Sequence, residues 1–301
     1  MKVGINGAVR DISDLKVGTN GAVRSVSEVY IGVNGAVKKA WPLVGALNDC
    51  TWEQISAISS AGTGANYWAV GDRKQVTLNG TVGSLSLSNF STYAFIIGFN
   101  HNSSREGSGR IHFQLAKTAL SGGTDICFID TSYESYGSSA AFRMNTDRSN
   151  SGGWEDSYMR NNICGTSKST TSGRIMGAIP ADLRNALKSV TKYTNNTGNS
   201  SSSGAVTATT DFFFLLAEYE VFGNITYSNT YEANYQQQYA YYSAGNSKVK
   251  YRHNSTKSSV SWWLRSPTTV STTGFVTVYT KGIVNIDVAD ASLGFAPGFC
   301  V

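Results

Sequence analysis

Histidines, acidic residues and cysteines are the side chains that could carry chemistry here, and the histidines form no recognisable motif. His101, His112 and His253 are far apart and stand in polar or strand-like surroundings. A lone histidine of this kind is more often a surface residue than a base or a metal ligand. The chain also lacks the G-x-S-x-G, P-loop, G-x-G-x-x-G and H-E-x-x-H motifs. The sequence therefore predicts a protein that is not an enzyme and has no metal site and no cofactor.

The acidic residues also occur in close pairs, of which three stand out: Glu155-Asp156, Glu218/Glu220 and Asp287/Asp290. A glycosidase needs two carboxyl groups that face each other across a cleft, and proximity in sequence does not supply that geometry. Arg265 lies between bulky apolar residues and must meet a carboxylate or carbonyl oxygens if it is buried. Glu218, which also has apolar neighbours, is the predicted partner.

The four cysteines show no C-x-x-C spacing: they are Cys50, Cys127, Cys164 and Cys300. This argues against a zinc ribbon or a thioredoxin-like site. The chain enters a strand-like repeat directly after Met1, so we expect no secretory signal. Without export, the cysteines are predicted to be buried free thiols.

The composition favours a β- and loop-rich protein with polar, uncharged surfaces. Charged residues make up only 15% of the 301 residues, and the net charge of +5 is not concentrated in a Lys/Arg cluster. We therefore expect no nucleic-acid partner, although a positive chain mildly favours anionic polymers such as cell-wall phosphates. Apolar runs are far shorter than the roughly 20 residues of a membrane helix, so no membrane insertion is expected.

Residues 1–43 contain three copies of a 14-residue repeat with an Asn-Gly pair in each copy, at Asn6-Gly7, Asn20-Gly21 and Asn34-Gly35. Asn-Gly between apolar residues predicts a type I′ β-hairpin turn. Hairpins of this size bury too little surface to be stable alone, so they must pack on each other, on the next domain or on other chains. We favour a trimer-forming stem slightly over a small β-meander that caps the domain of residues 44–301.

Periodicity predicts the main elements of residues 44–301. A capping box at Thr51 predicts a helix that stops at Gly62, and alternation over residues 76–99 predicts two strands. The same criteria predict strands at 111–115, 126–129 and 211–222, a short helix at 154–163, a clearer helix at 180–193, and loops at 100–109, 132–153 and 194–210.

The last forty residues carry the strongest pattern. They begin with W-W-L-R-S-P at Trp262–Pro267, continue with alternating segments at 274–280 and 283–289, and end in Phe299-Cys300-Val301. The two alternating segments predict a β-hairpin. An apolar terminus predicts that the chain end lies in the core, and at least one tryptophan of the W-W pair should be fully buried.

These motifs carry a resemblance that covers residues 47–301. Four motifs occur in the order found in a domain family of Gram-positive bacteria and their prophages: D-C-T-W-E-Q-I at 49–55, Y-W-A-V-G-D at 67–72, G-G-W-E-D-S-Y-M-R at 152–160 and W-W-L-R-S-P. That family resembles the C-type-lectin-like fold. The repeats of residues 1–43 resemble the Asn-Gly repeats of phage tail proteins. One departure is Ala296, where related domains carry an arginine before the proline.

The resemblance implies an α+β chain: a C-type-lectin-like domain at 44–301 with two main helices, preceded by an all-β repeat module at 1–43. It implies a receptor-binding protein, or adhesin, of the virion tail, assembled in the bacterial cytoplasm and acting outside the cell. The implied partners are a host cell-surface glycan or protein and other tail or baseplate proteins, and the implied state is a homotrimer. The alternatives are a wall-degrading tail enzyme, a bacterial surface adhesin and a structural tail protein.

Long loops at 100–109, 132–153 and 224–259 are the predicted binding face, with the hairpin turn at 279–285 as a fourth contributor. Tyrosine supplies rigid contact area in binding loops, and serine and asparagine supply adaptable hydrogen bonds. The predicted ligand-binding residues are Tyr227, Tyr231, Tyr235, Tyr251, Arg252 and Tyr279. About half of the tyrosines in residues 224–259 are expected to face the core instead.

Overall fold

The structure is a computed structural model that describes residues 2–5, 8–11, 16–26, 29–33, 36–41 and 44–301. The described chain is mixed α+β, with many strands in small sheets and few helices. It divides into two compact units, Met1–Ala46 and Leu47–Val301. None of the helices in the described ranges is long and apolar enough to cross a membrane.

The strands are, in chain order, β1 Lys2–Ile5, β2 Ala8–Asp11, β3 Lys16–Thr19, β4 Ala22–Ser25, β5 Val29–Val33, β6 Ala36–Trp41, β7 Arg73–Val82, β8 Leu85–Phe99, β9 Ile111–Lys117, β10 Ile126–Cys127, β11 Val190–Asn195, β12 Val206–Asp211, β13 Phe213–Phe214, β14 Lys250–Arg252, β15 Ser255–Val260, β16 Trp262–Pro267, β17 Gly274–Val278, β18 Val284–Val288 and β19 Gly298–Cys300. The α-helices are α1 Trp52–Ser60, α2 Ser103–Glu106, α3 Ile175–Ala178, α4 Ala181–Ala186, α5 Glu218–Phe222 and α6 Ala240–Ser243. A π-helix spans Met159–Cys164, and 3₁₀ turns occupy Leu47–Asp49, Gly64–Asn66, Gly137–Ser139, Ser203–Ala205 and Thr230–Asn234.

The N-terminal unit consists of three separate two-stranded hairpins, β1-β2, β3-β4 and β5-β6. The turn of the second hairpin has the predicted geometry, because Asn20 and Gly21 both have positive φ, 49° and 78°. The turn pairs at 6–7 and 34–35 lie outside the described residues. Val17 and Val23 of the second hairpin are 49% and 73% exposed.

The second unit is built on a five-stranded antiparallel sheet in the order β13-β19-β9-β8-β7. The chain ends inside this sheet: β19 pairs with β9 and β13, and the ring of Phe299 stacks on that of Phe113 at 5.3 Å. Phe299, Cys300 and Val301 are fully buried, which confirms the prediction for the terminus. All four cysteines are buried and free, as predicted.

The W-W-L-R-S-P motif forms β16, which pairs with the predicted hairpin β17-β18. Both Trp262 and Trp263 are fully buried, and each indole N–H donates to a backbone carbonyl, that of Lys248 and of Phe142. The capping box at Thr51 and the two strands β7 and β8 also confirm the predictions.

Five predicted elements are wrong in extent or type. The helix assigned to residues 180–193 ends at Ala186, and the loop assigned to 194–210 contains strand instead, because β11 and β12 pair over six residues each. The strand assigned to 211–222 ends early and becomes α5. The helix at 154–163 is confined to the π-helix, which is preceded by turns. The polar loop at 100–109 contains α2, and its Glu106 is buried.

Candidate ligand-binding site

The π-helix Met159–Cys164 lies at the centre of the candidate site, and the G-G-W-E-D-S-Y-M-R segment fixes its position. A Cβ on Gly153 would lie 2.1 Å from the carbonyl oxygen of Asn195, so the chain can approach β11 there only with glycine. The indole N–H of Trp154 donates to Asp211 at 3.0 Å, and Arg160 forms an ion pair with the same carboxylate at 2.6 Å. The π-helical turn is therefore anchored to β12, and π-turns are frequent at functional sites.

On one side of this turn lies a groove of 320 Å³, here called the acidic groove. Its walls are polar: Asn145, Thr146, Asp147, Ser149, Ser151, Asp156, Tyr158 and Asn162. Asn145 holds the walls together, because its amide donates to the Ser149 carbonyl at 2.7 Å and accepts from the Tyr158 backbone N–H at 3.1 Å. The groove offers hydroxyl, amide and carboxylate groups and contains no basic side chain.

The adjoining groove has a volume of 420 Å³ and is here called the basic groove. Arg143 and Arg174 are its charged residues, and serine hydroxyls, Tyr158 and Asn162 complete the polar wall. Tyr158 and Asn162 line both grooves, which makes them one continuous polar surface. The guanidinium of Arg143 lies 5.0 Å from the centre of the Tyr158 ring.

These two grooves suit reversible binding of a polyol or sugar. Hydroxyls, amides and a partly exposed tyrosine ring recognise sugar hydroxyls and apolar sugar faces, and the few charged side chains orient the ligand. No histidine or cysteine lines either groove.

A third, wider groove of 700 Å³ runs between α1 and α4. It contains two carboxylates, those of Glu53 and Asp182, and both side chains are exposed. A glycosidase keeps its acid protonated by burial or by a nearby like charge. The exposed acids of this groove lack the burial that such an acid uses.

A buried cluster of charges lies beneath β16, and Arg265 is its largest member. Arg265 donates to both oxygens of Glu220, at 2.5 and 2.9 Å, and to the Thr194 hydroxyl at 2.7 Å. The Lys192 ammonium donates to Glu220 at 3.0 Å and to Glu106 at 2.6 Å. Two cations and two carboxylates therefore balance one another in the core.

The predicted pair was Arg265 with Glu218, and this assignment is wrong. Glu218 begins α5, and its carboxylate accepts backbone N–H groups of Thr226 and Ser228 at 2.6 and 2.8 Å. Two residues on, Glu220 faces Arg265 because the segment is helical at this point rather than extended. Arg265 is buried and paired with a carboxylate, as expected.

The cluster shifts the pKa values of its members. Burial raises the pKa of Glu106 to about 7, although Lys192 acts in the opposite direction. Burial alone would raise the pKa of Glu220, but Arg265 and Lys192 outweigh it and hold the pKa well below its usual range. Burial and the nearby Lys192 lower the pKa of His101 to about 3.

His101 and His112 belong to this cluster, so the prediction of surface histidines is wrong for both. His101 stacks on Tyr239 with ring centres 3.7 Å apart, and His112 Nδ1 lies 3.1 Å from the Tyr239 hydroxyl. Both are buried because α2 packs against β11 and Tyr239 lies against both rings, long-range contacts that local polarity does not reveal.

Ligand atoms of His101, Glu106 and Glu220 lie within 4.8 Å of one another, a spacing that a metal ion could use. Both carboxylates, however, already bind the Lys192 ammonium, and Glu220 also binds Arg265. Side-chain cations therefore fill the role of the metal, and we interpret the cluster as a structural ion network.

The predicted ligand-binding residues lie in three places, and none of the six lines the three grooves described above. Tyr227, Tyr231 and Tyr235 follow α5. Tyr231 is 43% exposed, whereas the Tyr235 ring stacks on Tyr193 at 4.9 Å with Arg105 over its face.

Tyr251 and Arg252 lie on β14, and both are half-buried. The Arg252 guanidinium lies 4.5 Å from the centre of the Tyr133 ring. Tyr279 lies in the β17-β18 turn and is 40% exposed. Three further tyrosines of the 224–259 segment face the core: Tyr239, Tyr241 and Tyr242.

The grooves themselves were not evident from the sequence. Asn145, Tyr158 and Asn162 lie in segments that were assigned only as an irregular loop and a short helix, and Arg143 lies in the same loop. The signal that could have found them is the density of Asn, Ser and Asp in residues 145–162, next to the G-G-W-E-D-S-Y-M-R motif.

Residues 131–301, more than half of the chain, match the family described as a domain of unknown function, DUF6273. The chain belongs to this family. Both the acidic groove and β16 lie in the matched segment. Comparisons with curated proteins and with solved structures gave no significant match.

Proposed function

We propose that this chain is a receptor-binding protein of a phage tail and that it binds a cell-surface glycan of a Gram-positive host without altering it. Residues 44–301 would form the C-type-lectin-like binding domain, and residues 1–43 would join it to the tail and trimerise it. The observation that carries the proposal is the continuous polar surface formed by the acidic and basic grooves around Tyr158 and Asn162.

Two further observations support this function. The exposed rings of Tyr231 and Tyr279 add aromatic contact area outside the grooves. The exposed valines of the second hairpin, Val17 and Val23, leave apolar surface that another chain of the same kind could cover.

The alternative is a wall-degrading enzyme, for which the groove of Glu53 and Asp182 supplies two carboxylates, although both are exposed. The carboxylates of Asp147 and Asp156 in the acidic groove are a second pair that an enzyme could use.

One experiment separates the two functions. The full chain is incubated with purified cell walls from a panel of Gram-positive bacteria, the walls are pelleted, and both bound protein and soluble carbohydrate are measured. We expect saturable binding to some walls and no release of soluble oligosaccharide above a buffer control. Release would make the protein an enzyme, and an absence of binding across the panel would contradict the receptor-binding function.

A further inference from the structure

Arg143 in the basic groove has an unusual environment. It is 9% exposed, and its Nε has no hydrogen-bond partner among the described residues. One terminal nitrogen donates to the carbonyl of Gly137, and the guanidinium lies over the ring of Tyr158. The Nε atom itself is buried. Because a buried guanidinium without a carboxylate is costly, an anion in the groove that Arg143 lines would stabilise it.

The rest of the basic groove fits an anionic acceptor. Arg174 lines the same groove, and its Nε and one terminal nitrogen are held by the carbonyls of Asn161 and Ser172 at 3.1 and 2.9 Å. No acidic residue lines this groove, and neither arginine forms an ion pair within the described part of the chain. The two positive charges are therefore not neutralised locally, and walls of one sign concentrate the field on an incoming ligand.

We infer that the basic groove binds the anionic group of the ligand, a phosphate or a carboxylate, while the acidic groove binds the adjoining polyol or sugar. Planar guanidinium groups match both phosphate and carboxylate oxygens. The shared wall of Tyr158 and Asn162 places the two parts of the ligand side by side. The receptor class is then an anionic glycopolymer, an inference that rests on the proposed function.

The test uses small probes on the full chain, with binding followed by saturation-transfer NMR. Glycerol 3-phosphate represents a phosphate ester, galacturonate represents a carboxylate, and glycerol and galactose are the uncharged controls. We expect one or both anions to bind at least tenfold more tightly than the matching neutral compound, and the two arms identify which anion is preferred.

Arg143→Met should weaken binding of the preferred anion at least tenfold. Arg148→Met is the matched control, because it removes the same charge from an arginine that lies outside the basic groove and pairs with Asp290. Ser84→Glu is a second variant that places a carboxylate in the basic groove from an exposed turn, so it tests the inference even if Arg143→Met fails to fold.

Equal binding of anions and neutral compounds, or anion binding that Ser84→Glu leaves unchanged, would overturn the inference. Pelleting of the same variants with cell walls distinguishes a failure of the anion site from a failure of the receptor-binding function. If walls still bind the Ser84→Glu variant as they bind wild type, the receptor-binding function stands and the anion site does not.

Discussion

At the scale of single residues, Arg265, Glu220 and Lys192 form the main group of charges buried in the core. Each charge would be unstable alone at this depth, and each is neutralised by neighbours from a different part of the chain. The network therefore ties β11, α5 and β16 together.

Removing one partner of the network should therefore destabilise the folded chain. Arg265→Met leaves Glu220 with Lys192 as its remaining cation, and we expect a loss of about 3–5 kcal/mol in the free energy of unfolding. Arg148→Met removes an arginine whose side chain is 55% exposed, and it should cost less than about 1 kcal/mol. Urea denaturation of both variants measures the difference, and similar losses would contradict the structural role of the network.

The pKa values of His101 and Glu106 predict opposite effects of pH on stability. Because the pKa of His101 falls from 6.5 to about 3, the folded chain binds fewer protons in this window, and stability decreases as the pH falls. The pKa of Glu106 rises from 4.5 to about 7, so its contribution to stability decreases as the pH rises through that window.

His101→Gln should therefore make stability rise less steeply with pH between about 4.5 and 6.5, and Glu106→Gln should make it rise more steeply. One group can change the slope by at most about 1.4 kcal/mol per pH unit. Denaturant titrations of wild type and both variants across this range measure the slopes. Parallel curves for all three proteins would show that neither group titrates as described.

Sequence reasoning at this scale could predict that Arg265 is buried and paired, because its neighbours in W-W-L-R-S-P are apolar. It could not select Glu220 over Glu218, since that choice depends on whether the segment is a helix or a strand. It also missed His101 and His112, whose burial comes from distant elements and not from their polar neighbours.

At the scale of elements, strands with clear alternation and local turns were predictable. The β17-β18 hairpin and the pair β7-β8 need only their own sequence and a tight turn. The predictions failed for segments whose conformation is determined by long-range strand pairing. Leu183, Leu187 and Val190 have helical spacing, yet Val190 and the residues after it pair with β12.

Strand β16 is the element whose integrity is easiest to test. Trp263→Ala removes a fully buried indole and leaves the Phe142 carbonyl with the Leu293 backbone N–H as its remaining donor, so we expect a loss of about 3–5 kcal/mol. Tyr279→Ala, at a partly exposed turn position, should change stability by no more than about 0.5 kcal/mol. Thermal unfolding compares the two, and an unchanged melting temperature for Trp263→Ala would contradict the packing.

At the scale of the whole molecule, the N-terminal hairpins and the larger unit have different sources of stability. The larger unit has a continuous core, whereas β3 and β4 are exposed along their whole length in the single chain. Isolated two-stranded hairpins are marginal in water. We therefore expect residues 1–43 to be stabilised by association with other copies.

Deleting residues 1–43 should convert an oligomer, a trimer by our proposal, into a folded monomer. Light scattering at micromolar concentration measures the mass of both proteins, and circular dichroism checks that the shortened chain is folded. A monomeric full-length chain would contradict the stem.

The fold of the second unit was predictable as α+β, but its grooves were not. Motif order and alternation indicate the class of structure, whereas the grooves arise where the 132–153 loop, the π-helix and the 172–174 turn meet. That meeting is set by contacts such as Trp154 with Asp211, which no local pattern encodes.

The grooves around Tyr158 are proposed to contact the host surface, and the affinity of cell-wall binding, measured by pelleting, tests this contact most directly. Tyr158→Ala should keep the wild-type melting temperature within a few degrees and weaken binding at least tenfold, about 1.4 kcal/mol. Alanine variants of the six sequence-predicted residues belong in the same series, and we expect at least one to weaken binding to a similar degree. Normal binding by Tyr158→Ala and by all six variants, together with loss of binding when residues 1–43 are deleted, would place the contact at the other end of the chain and contradict the account.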